Sequence, residues 1–228
     1  MDKKSSGSVN KSLAVFFKDI RSELRTRYAI NAILMFAVVT VFAVSWSVGG
    51  VGLTPVMQAS LLWVVIYFSS LSGLSQSFVK EEESKTAVAL RLYCPAEAVY
   101  GGKLIFNLVL LATLNLITIP LFSIFVGLDI ANMSLFLSII VIGSIGLVGT
   151  TTLVAAIISK ASAKGALFAV LSFPIILPLL ITVIKATIKS LTPDFTMGMA
   201  RMELQVAGSY MIVMTILGFL FFNLVWND

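Results

Sequence analysis

Six segments of the sequence are each apolar over about 20 residues, the length that a helix needs to cross the hydrocarbon core of a bilayer. Only 12% of the 228 residues are charged, whereas a soluble domain carries about 25%. Backbone polar groups in lipid must be satisfied within the segment, and these segments lack the alternation of barrel strands. The sequence therefore predicts an all-α integral membrane protein with six transmembrane helices. The predicted spans are Ala29–Val48, Pro55–Phe78, Lys103–Val126, Ser134–Ser159, Gly165–Ile184 and Val206–Trp226.

Lysine and arginine fall mainly on one side of these spans. If the N-terminus is cytoplasmic, all but three of the 16 basic residues lie in cytoplasmic segments, and the exceptions are Lys185, Lys189 and Arg201. Positive charge accumulates in cytoplasmic loops and sets the orientation of the chain. We therefore predict a multi-pass protein of the inner (cytoplasmic) membrane, with both termini in the cytoplasm.

The residues before the first span predict an amphipathic helix that lies in the inner membrane interface. Between Ser12 and Ala29, apolar side chains recur at helical spacing and charged side chains fill the other face. Glu23 and Arg27 stand on that face in the favourable i, i+4 order. The pattern fits a basic anchor that sets orientation as well as a helix that contacts a partner. The residues that represent this interfacial helix are Phe16, Phe17, Ile20, Arg21 and Arg25.

A charged stretch, FVKEEESKTAVALRLYCP at 78–95, separates the second and third predicted spans. Glu81, Glu82 and Glu83 would begin a short helix, where carboxylates meet the positive end of the helix dipole. Leu92 lies on the apolar side of this helix, and Pro95 ends it, because the residue before a proline avoids the helical region. The result is a cytoplasmic helix with an acidic front. Two interpretations fit this pattern equally. The helix could dock into a groove of a partner, or the segment could be a solvated loop whose charges keep it out of the membrane.

The middles of the predicted spans contain no ionisable side chains of the kinds that usually support catalysis or ion transport. No Asp, Glu, Lys or Arg falls in the middle of any span, and the sequence contains no histidine and no GxxxxGK[ST] phosphate-binding loop. Proton relays and ion-coupled carriers usually depend on intramembrane ionisable groups, and histidine is the commonest acid–base and metal-binding side chain. We predict that the chain is not an enzyme, with no catalytic residue, no metal site and no directly bound cofactor. Any transport must then draw its energy from another subunit.

Small and polar residues within the spans predict close helix packing, which the spacing favours over a substrate path. These residues are Ser69, Gly73 and Ser77 in the second span, Asn107 and Asn115 in the third, and Gly143, Gly146, Gly149 and Thr150 in the fourth.

Pro174 and Pro178 lie four residues apart in the fifth span. Each proline removes an amide donor, so two successive turns are weakened and the helix should bend there. The bend is either a static kink, which the sequence favours, or a hinge.

The charged stretch resembles the corresponding segment of the haem exporter protein B (CcmB) family, the membrane subunit of the ABC transporter of cytochrome c maturation. The family pattern has an aromatic, basic and acidic residues, a Thr or Ser, leucines, a proline and a lysine that opens the third span. It falls here on Phe78, Lys80, Glu81, Glu82, Thr86, Leu90, Leu92, Pro95 and Lys103.

The resemblance extends over nearly the whole chain. The sequence FFKDIRSELRTRYA at 16–29 is similar to the family's N-terminal stretch, and Gly127–Asp129 is similar to its short outer turn. The proline pair of the fifth span also matches. Two positions depart from the family pattern, because Lys85 replaces a common glycine and Ser159–Ser162 replaces a glycine-richer basic turn.

This resemblance implies an ABC-2-type permease domain over 29–228, after a cytoplasmic tail and interfacial helix over 1–28, in the inner membrane of a bacterium. The charged stretch would contain a coupling helix that rests on an ABC ATPase. The implied partners are that cytoplasmic ATPase, a haem-handling membrane subunit, a small single-span subunit and a periplasmic haem chaperone, besides the lipid bilayer and without nucleic acid. ATP would be used, and haem held, by partner subunits. The candidate ATPase contacts are Glu81, Glu82, Glu83, Lys85, Thr86 and Leu90.

The expected function is to couple ATP hydrolysis by the partner to release of a haem-loaded periplasmic chaperone in the biogenesis of c-type cytochromes. The alternative is an ABC-2 permease that exports a lipid, a polysaccharide or a drug, since the same architecture serves it. An intramembrane enzyme lacks the necessary side chains, and a structural scaffold would not change shape with ATP.

Overall fold

A computed structural model describes residues 2–50, 52–74, 78, 81, 86–159 and 164–227. The described part is almost entirely helical and includes no strand. Its helices are α1 (Asp2–Thr26), α2 (Tyr28–Val48), α3 (Pro55–Leu74), α4 (Ala87–Tyr93), α5 (Ala96–Val126), α6 (Met133–Ile158), α7 (Lys164–Leu191) and α8 (Arg201–Asn227), with a 3-10 turn, Met197–Ala200, before α8.

Six of these helices, α2, α3, α5, α6, α7 and α8, are long and apolar enough to cross a membrane. The prediction of six spans in an all-α membrane protein is therefore confirmed, although several bounds differ. The predicted second span ran beyond α3 to Phe78, across residues 75–77, which lie outside the described residues. α7 continues to Leu191 and α8 begins at Arg201. Hydropathy marks only the apolar part of a helix, so it misses turns that extend beyond the hydrocarbon.

The third span begins at Ala96, seven positions before the predicted start. Pro95 has extended backbone angles (φ −65°, ψ 151°), and its carbonyl accepts the first amide bonds of α5, from Ala98 and Val99. A proline suits such a helix start because its missing amide hydrogen is not needed there. Lys103 consequently lies about two turns inside α5 rather than at its first residue.

Successive spans run in alternate directions, which gives the bundle two ends. The α1 end contains α1, α4, the start of α5 and the end of α8. At the far end, the Ser45 hydroxyl donates to the Phe125 carbonyl (2.8 Å), and the Gln58 amide donates to the Gly127 carbonyl (2.8 Å). These bonds fasten α2 and α3 to the end of α5.

The predicted close packing is confirmed in the centre of the bundle. α6 is the most buried span and packs against α7 and α8. A Cβ added to Gly143 would lie 2.3 Å from the ring of Trp63, so this contact requires glycine. Two asparagines of α5 bond across to α6: Asn107 Nδ2 to Thr152 Oγ1 (2.8 Å) and Asn115 Nδ2 to Ser144 Oγ (2.8 Å).

Pro174 and Pro178 both lie inside α7. The hydroxyl of Tyr210 on α8 donates to the carbonyl of Ile175 between them (2.8 Å) and lies 3.0 Å from the hydroxyl of Thr150 on α6. The proline region is thus bonded to α8 through Tyr210, whose hydroxyl is in turn within hydrogen-bond distance of α6 at Thr150. The hinge remains a prediction.

α1 lies across the start of α5 in very close contact. Val15 is only 3% exposed, and a Cβ added to Gly102 would lie 2.7 Å from the Ser12 carbonyl oxygen and 2.7 Å from the Val15 Cβ. Real Cβ atoms do not approach a backbone this closely. The absence of a side chain at Gly102 therefore sets the distance between α1 and α5.

Replacement of Gly102 by alanine tests this contact. Alanine forms helix better than glycine by about 0.5–1 kcal/mol, so a glycine with open space around it should gain stability from the change. At Gly102 we expect instead a loss of about 1–3 kcal/mol, because the methyl group meets the backbone of α1. Gly208→Ala in α8 is the matched control, since a Cβ there meets no atom within 4 Å. Thermal unfolding in one detergent compares them, and equal stability of the two variants would contradict the close contact.

Candidate functional site

Four charged side chains meet at the α1 end, and we call them the charge cluster: Lys18 and Asp19 of α1, Glu81 before α4, and Lys103 of α5. The Lys103 ammonium lies 2.9 Å from Asp19 Oδ2 and 2.9 Å from Glu81 Oε1. The Lys18 ammonium lies 3.2 Å from Asp19 Oδ1 and donates to the same oxygen of Glu81. Two positive and two negative charges make the cluster neutral.

Three members of the charge cluster are buried: Lys103 is 2% exposed, Glu81 7% and Asp19 8%. A buried ion costs several kcal/mol unless opposite charges and hydrogen bonds compensate it. Thr86 also donates to Glu81: its hydroxyl lies 2.6 Å from Oε2 and 3.3 Å from the carbonyl oxygen, and its amide lies 3.0 Å from that carbonyl oxygen. The cluster thus joins α1, α5 and Glu81. Loss of any one of the four charges would leave a buried charge without its partner.

The ionisation of Glu81 follows from these neighbours. Burial disfavours the charged carboxylate and raises its pKa, but the charge of Lys103 and the hydrogen bonds from Lys103, Lys18 and Thr86 outweigh burial and lower the pKa of Glu81 to about 2. The pKa of Lys18 is raised, because Asp19 and Glu81 more than offset its burial. These two groups therefore keep their charges through neutral pH, and their contacts act as lasting ion pairs.

An aromatic layer continues from the charge cluster to α4. The Lys103 ammonium lies 5.8 Å from the ring centroid of Phe78, and the rings of Phe78 and Phe222 are 5.2 Å apart. Phe222 stacks on Trp226 at 5.2 Å, and the Arg91 guanidinium of α4 lies 5.0 Å from the Trp226 ring centroid. Cation–aromatic and ring–ring contacts thus connect α4 through the end of α8 to Lys103.

The prediction that all charged side chains of α1 lie on its outward face is wrong for Asp19 and Glu23. The helical pattern places Asp19 and Glu23 on the outward charged face, but both are buried against the protein. Glu23 Oε1 accepts the amide of Ile30 in the first turn of α2 (3.0 Å), where a negative charge meets the positive end of the helix. The single residue between the two helices, Arg27, is left-handed (φ 52°, ψ 20°). α1 therefore has a buried acidic face beside its apolar and basic faces.

Among the interfacial-helix residues, Phe17, Arg21 and Arg25 are exposed. Phe16 and Ile20 are half-buried and pack against the core of the bundle. A helix covers most of the predicted stretch, but α1 runs over Asp2–Thr26 and ends before Arg27, whereas the predicted range is Ser12–Ala29. That α1 lies in the membrane interface remains a prediction.

The short helix before Pro95 exists as α4, with the chain extended at Cys94 (φ −127°, ψ 135°). It begins at Ala87, with Thr86 at its N-terminal cap, so the expectation that the glutamates begin it is wrong. The expected exposed position of Glu81 is also wrong, because its carboxylate is buried in the charge cluster. Leu90 is partly buried against the core. Glu82, Glu83 and Lys85 lie outside the described residues, and ATPase contact by any candidate remains a prediction.

Among the α4 side chains that the structure describes, Leu90–Tyr93, the most exposed are apolar. Leu92 is 79% exposed and Tyr93 is 78% exposed. Neither is among the candidate contacts predicted from the sequence, although an apolar pair two residues before Pro95 could have indicated one. Such a pair on a charged loop is unusual for a surface that only meets water.

Lys103 and Asp19 were also missed as site residues. A lysine preceded by two glycines inside an apolar helix was the available signal, since a buried lysine needs an acidic partner. Within the described residues, no group of three or more His, Cys, Asp or Glu side chains could hold a metal ion.

Comparison with known proteins places these elements in a family context. The family model described as CcmB protein matches residues 10–222, which include the charge cluster, α4 and nearly all of the six spans. No curated protein matches the sequence.

Replacement of Lys103 by methionine tests the charge cluster. The change keeps the length of the side chain but leaves Asp19 and Glu81 short of positive charge, so we expect a loss of about 3–5 kcal/mol. Lys189→Met is the control, because Lys189 pairs with Glu203 (2.6 Å) at the far end, where its side chain is 25% exposed. A partly exposed pair contributes about 1 kcal/mol or less. Unfolding of both variants in the same detergent gives the comparison, and similar losses would refute the dependence on Lys103.

Proposed function

The chain belongs to the CcmB protein family, and from that premise we propose that it transmits ATP-driven movement from a partner ATPase to a haem-delivery step across the membrane. CcmB proteins are membrane permeases of a haem-export ABC system in the biogenesis of c-type cytochromes. The observation that carries the proposal is α4, a short helix with an exposed apolar pair, Leu92 and Tyr93, and with bonds back into the bundle.

The α1 end would face the cytoplasm of a bacterium, with both termini there and the chain in the inner membrane. This orientation places the excess of lysine and arginine inside, as the positive-inside rule requires. α4 then stands where a cytoplasmic ATPase can reach it, and α1 lies along the inner membrane interface.

The ATPase would bind α4 through Leu92 and Tyr93. Exposed aromatic and aliphatic side chains of this kind form the centres of protein interfaces once a groove covers them. Glu82, Glu83 and Lys85 remain candidate contacts at the rim. Glu81 has a different role in this scheme, since it connects the docking segment to the charge cluster.

Force on α4 would reach the bundle by two routes. The first runs from Arg91 to Trp226 and so to α8. The second runs from Glu81 to Lys103 of α5 and to Lys18 of α1. Because the charges of the cluster are buried, their separation would be costly, so α1, α4 and α5 would move as one unit.

The proline region of α7 would absorb the relative movement. Pro174 and Pro178 each remove a backbone hydrogen bond, which leaves this part of α7 easier to bend than its neighbours. Tyr210 would limit the bending, because its hydroxyl bonds to the Ile175 carbonyl.

In this proposal the chain performs no catalysis and binds no cofactor itself. The ATPase would hydrolyse ATP, and a haem-handling membrane subunit, with a small single-span subunit, would hold the haem. The movement would release a haem-loaded periplasmic chaperone at the far end. The CcmB family match favours this cargo over a lipid, polysaccharide or drug.

Alanine substitution of both Leu92 and Tyr93 tests the docking surface. Each side chain should contribute about 2 kcal/mol as a buried anchor, so association with the ATPase should weaken roughly a thousandfold when both are removed. Met202→Ala is the control, because Met202 is 76% exposed at the far end. Co-purification of the ATPase with each tagged variant gives the result, with thermal unfolding as the check on folding. Undiminished co-purification of the double variant would show that α4 is not the docking site.

A further inference from the structure

Over residues 9–27 the outward surface of α1 and the turn after it is basic, because the two acids of this stretch, Asp19 and Glu23, are turned inward. Asp19 and Glu23 are 8% and 5% exposed and are already bonded inside the protein. Lys11, Arg21 and Arg25 are exposed. Over residues 9–27, whose side chains are all described, no exposed acid offsets them. The helix thus presents net positive charge to its surroundings.

An exposed apolar stripe lies beside the basic face of α1. Phe17 is 63% exposed and Leu24 is 62% exposed. At about 100° per residue, both lie within a quarter turn of Arg21 on the helix surface. An open cavity of about 800 Å³ runs along this part of α1, and its lining includes Phe17, Arg21, Leu24 and Arg25. Guanidinium groups and apolar side chains therefore lie side by side on one surface of α1.

The position of α1 places this surface at the level of the lipid headgroups. One residue, Arg27, separates α1 from the span α2, so α1 cannot move far from the membrane surface. α5 has 31 residues, or about 46 Å of helix against a hydrocarbon core of about 30 Å, and α1 crosses it near its first turns, at Gly102.

We infer that this surface of α1 binds anionic phospholipids, with Arg21 and Arg25 on the headgroup phosphate and Phe17 and Leu24 against the upper acyl chains. A guanidinium group matches phosphate oxygens with two parallel hydrogen bonds. The adjoining apolar stripe requires a hydrocarbon cover, which a free phosphate lacks and which the bilayer around α2 supplies. A negatively charged leaflet attracts basic segments next to a span in this way.

The experiment compares lipid binding by two charge-matched double variants of the full chain. Arg21→Gln/Arg25→Gln removes the proposed phosphate contacts, and Lys185→Gln/Arg201→Gln removes two exposed cations at the far end. Each purified protein is titrated in a mild detergent with phosphatidylglycerol or phosphatidylcholine, and bound lipid is counted by native mass spectrometry. We expect phosphatidylglycerol to bind wild type better than phosphatidylcholine and to lose roughly fivefold in affinity for each charge removed from α1. The far-end variant should bind as wild type does.

Added salt gives a second test that needs no variant. Screening should weaken binding of phosphatidylglycerol to the wild-type chain and leave phosphatidylcholine unaffected. Equal binding of the two lipids by wild type, or equal phosphatidylglycerol affinity of the two double variants, would overturn the inference. If the α1 variant bound phosphatidylglycerol normally but lost the ATPase on purification, the surface would be a protein interface instead.

Discussion

A lysine ammonium buried near the start of an apolar span is the constraint on which the α1 end of the protein depends. Lys103 is 2% exposed and cannot reach water, so its charge must be compensated by carboxylates packed against it. Asp19 arrives from α1 and Glu81 from the segment before α4, each 2.9 Å from the ammonium. Both acids in turn require the second cation, Lys18. The position of α1 and the attachment of the segment before α4 therefore both depend on the charge of Lys103.

The α1 end of the bundle and the proline region of α7 differ in how firmly they are held. At the α1 end, ion pairs, stacked rings and the glycine contact of Gly102 hold α1, α4, α5 and the end of α8 together. Within the membrane, α7 contains two prolines and is secured there by the single hydroxyl of Tyr210 among the bonds described. A load applied at α4 would therefore be carried by a stiff unit and accommodated in a softer helix. Under the proposed function, that difference in stiffness would let a movement applied at α4 reach the bundle without separating α1 from α5.

The sequence predicts the six spans and the short helix before Pro95, because hydropathy length and proline stereochemistry are local properties. It does not predict that Glu81 faces inward. Helical spacing would turn successive glutamates of the run by about 100° each, and no local pattern tells whether Glu81 faces the protein. The deciding partners, Lys18 and Lys103, are 63 and 22 residues away. The burial of Asp19 and Glu23 in α1 is also not predicted, because it depends on distant partners. A helix that packs against protein can bury charged side chains, whereas a helix surrounded by lipid alone cannot.

The distance between α1 and α5 during the ATPase cycle tests the claim that the charge cluster makes them one moving unit. Spin labels at the exposed positions Ala14 of α1, Glu97 of α5 and Val170 of α7 can be introduced in pairs after the single cysteine, Cys94, is replaced by serine. With the ATPase bound and ATP added, pulsed electron paramagnetic resonance should show an unchanged 14–97 distance and a changed 97–170 distance. A changed 14–97 distance, or a 97–170 distance that ATP leaves as it was, would contradict the account.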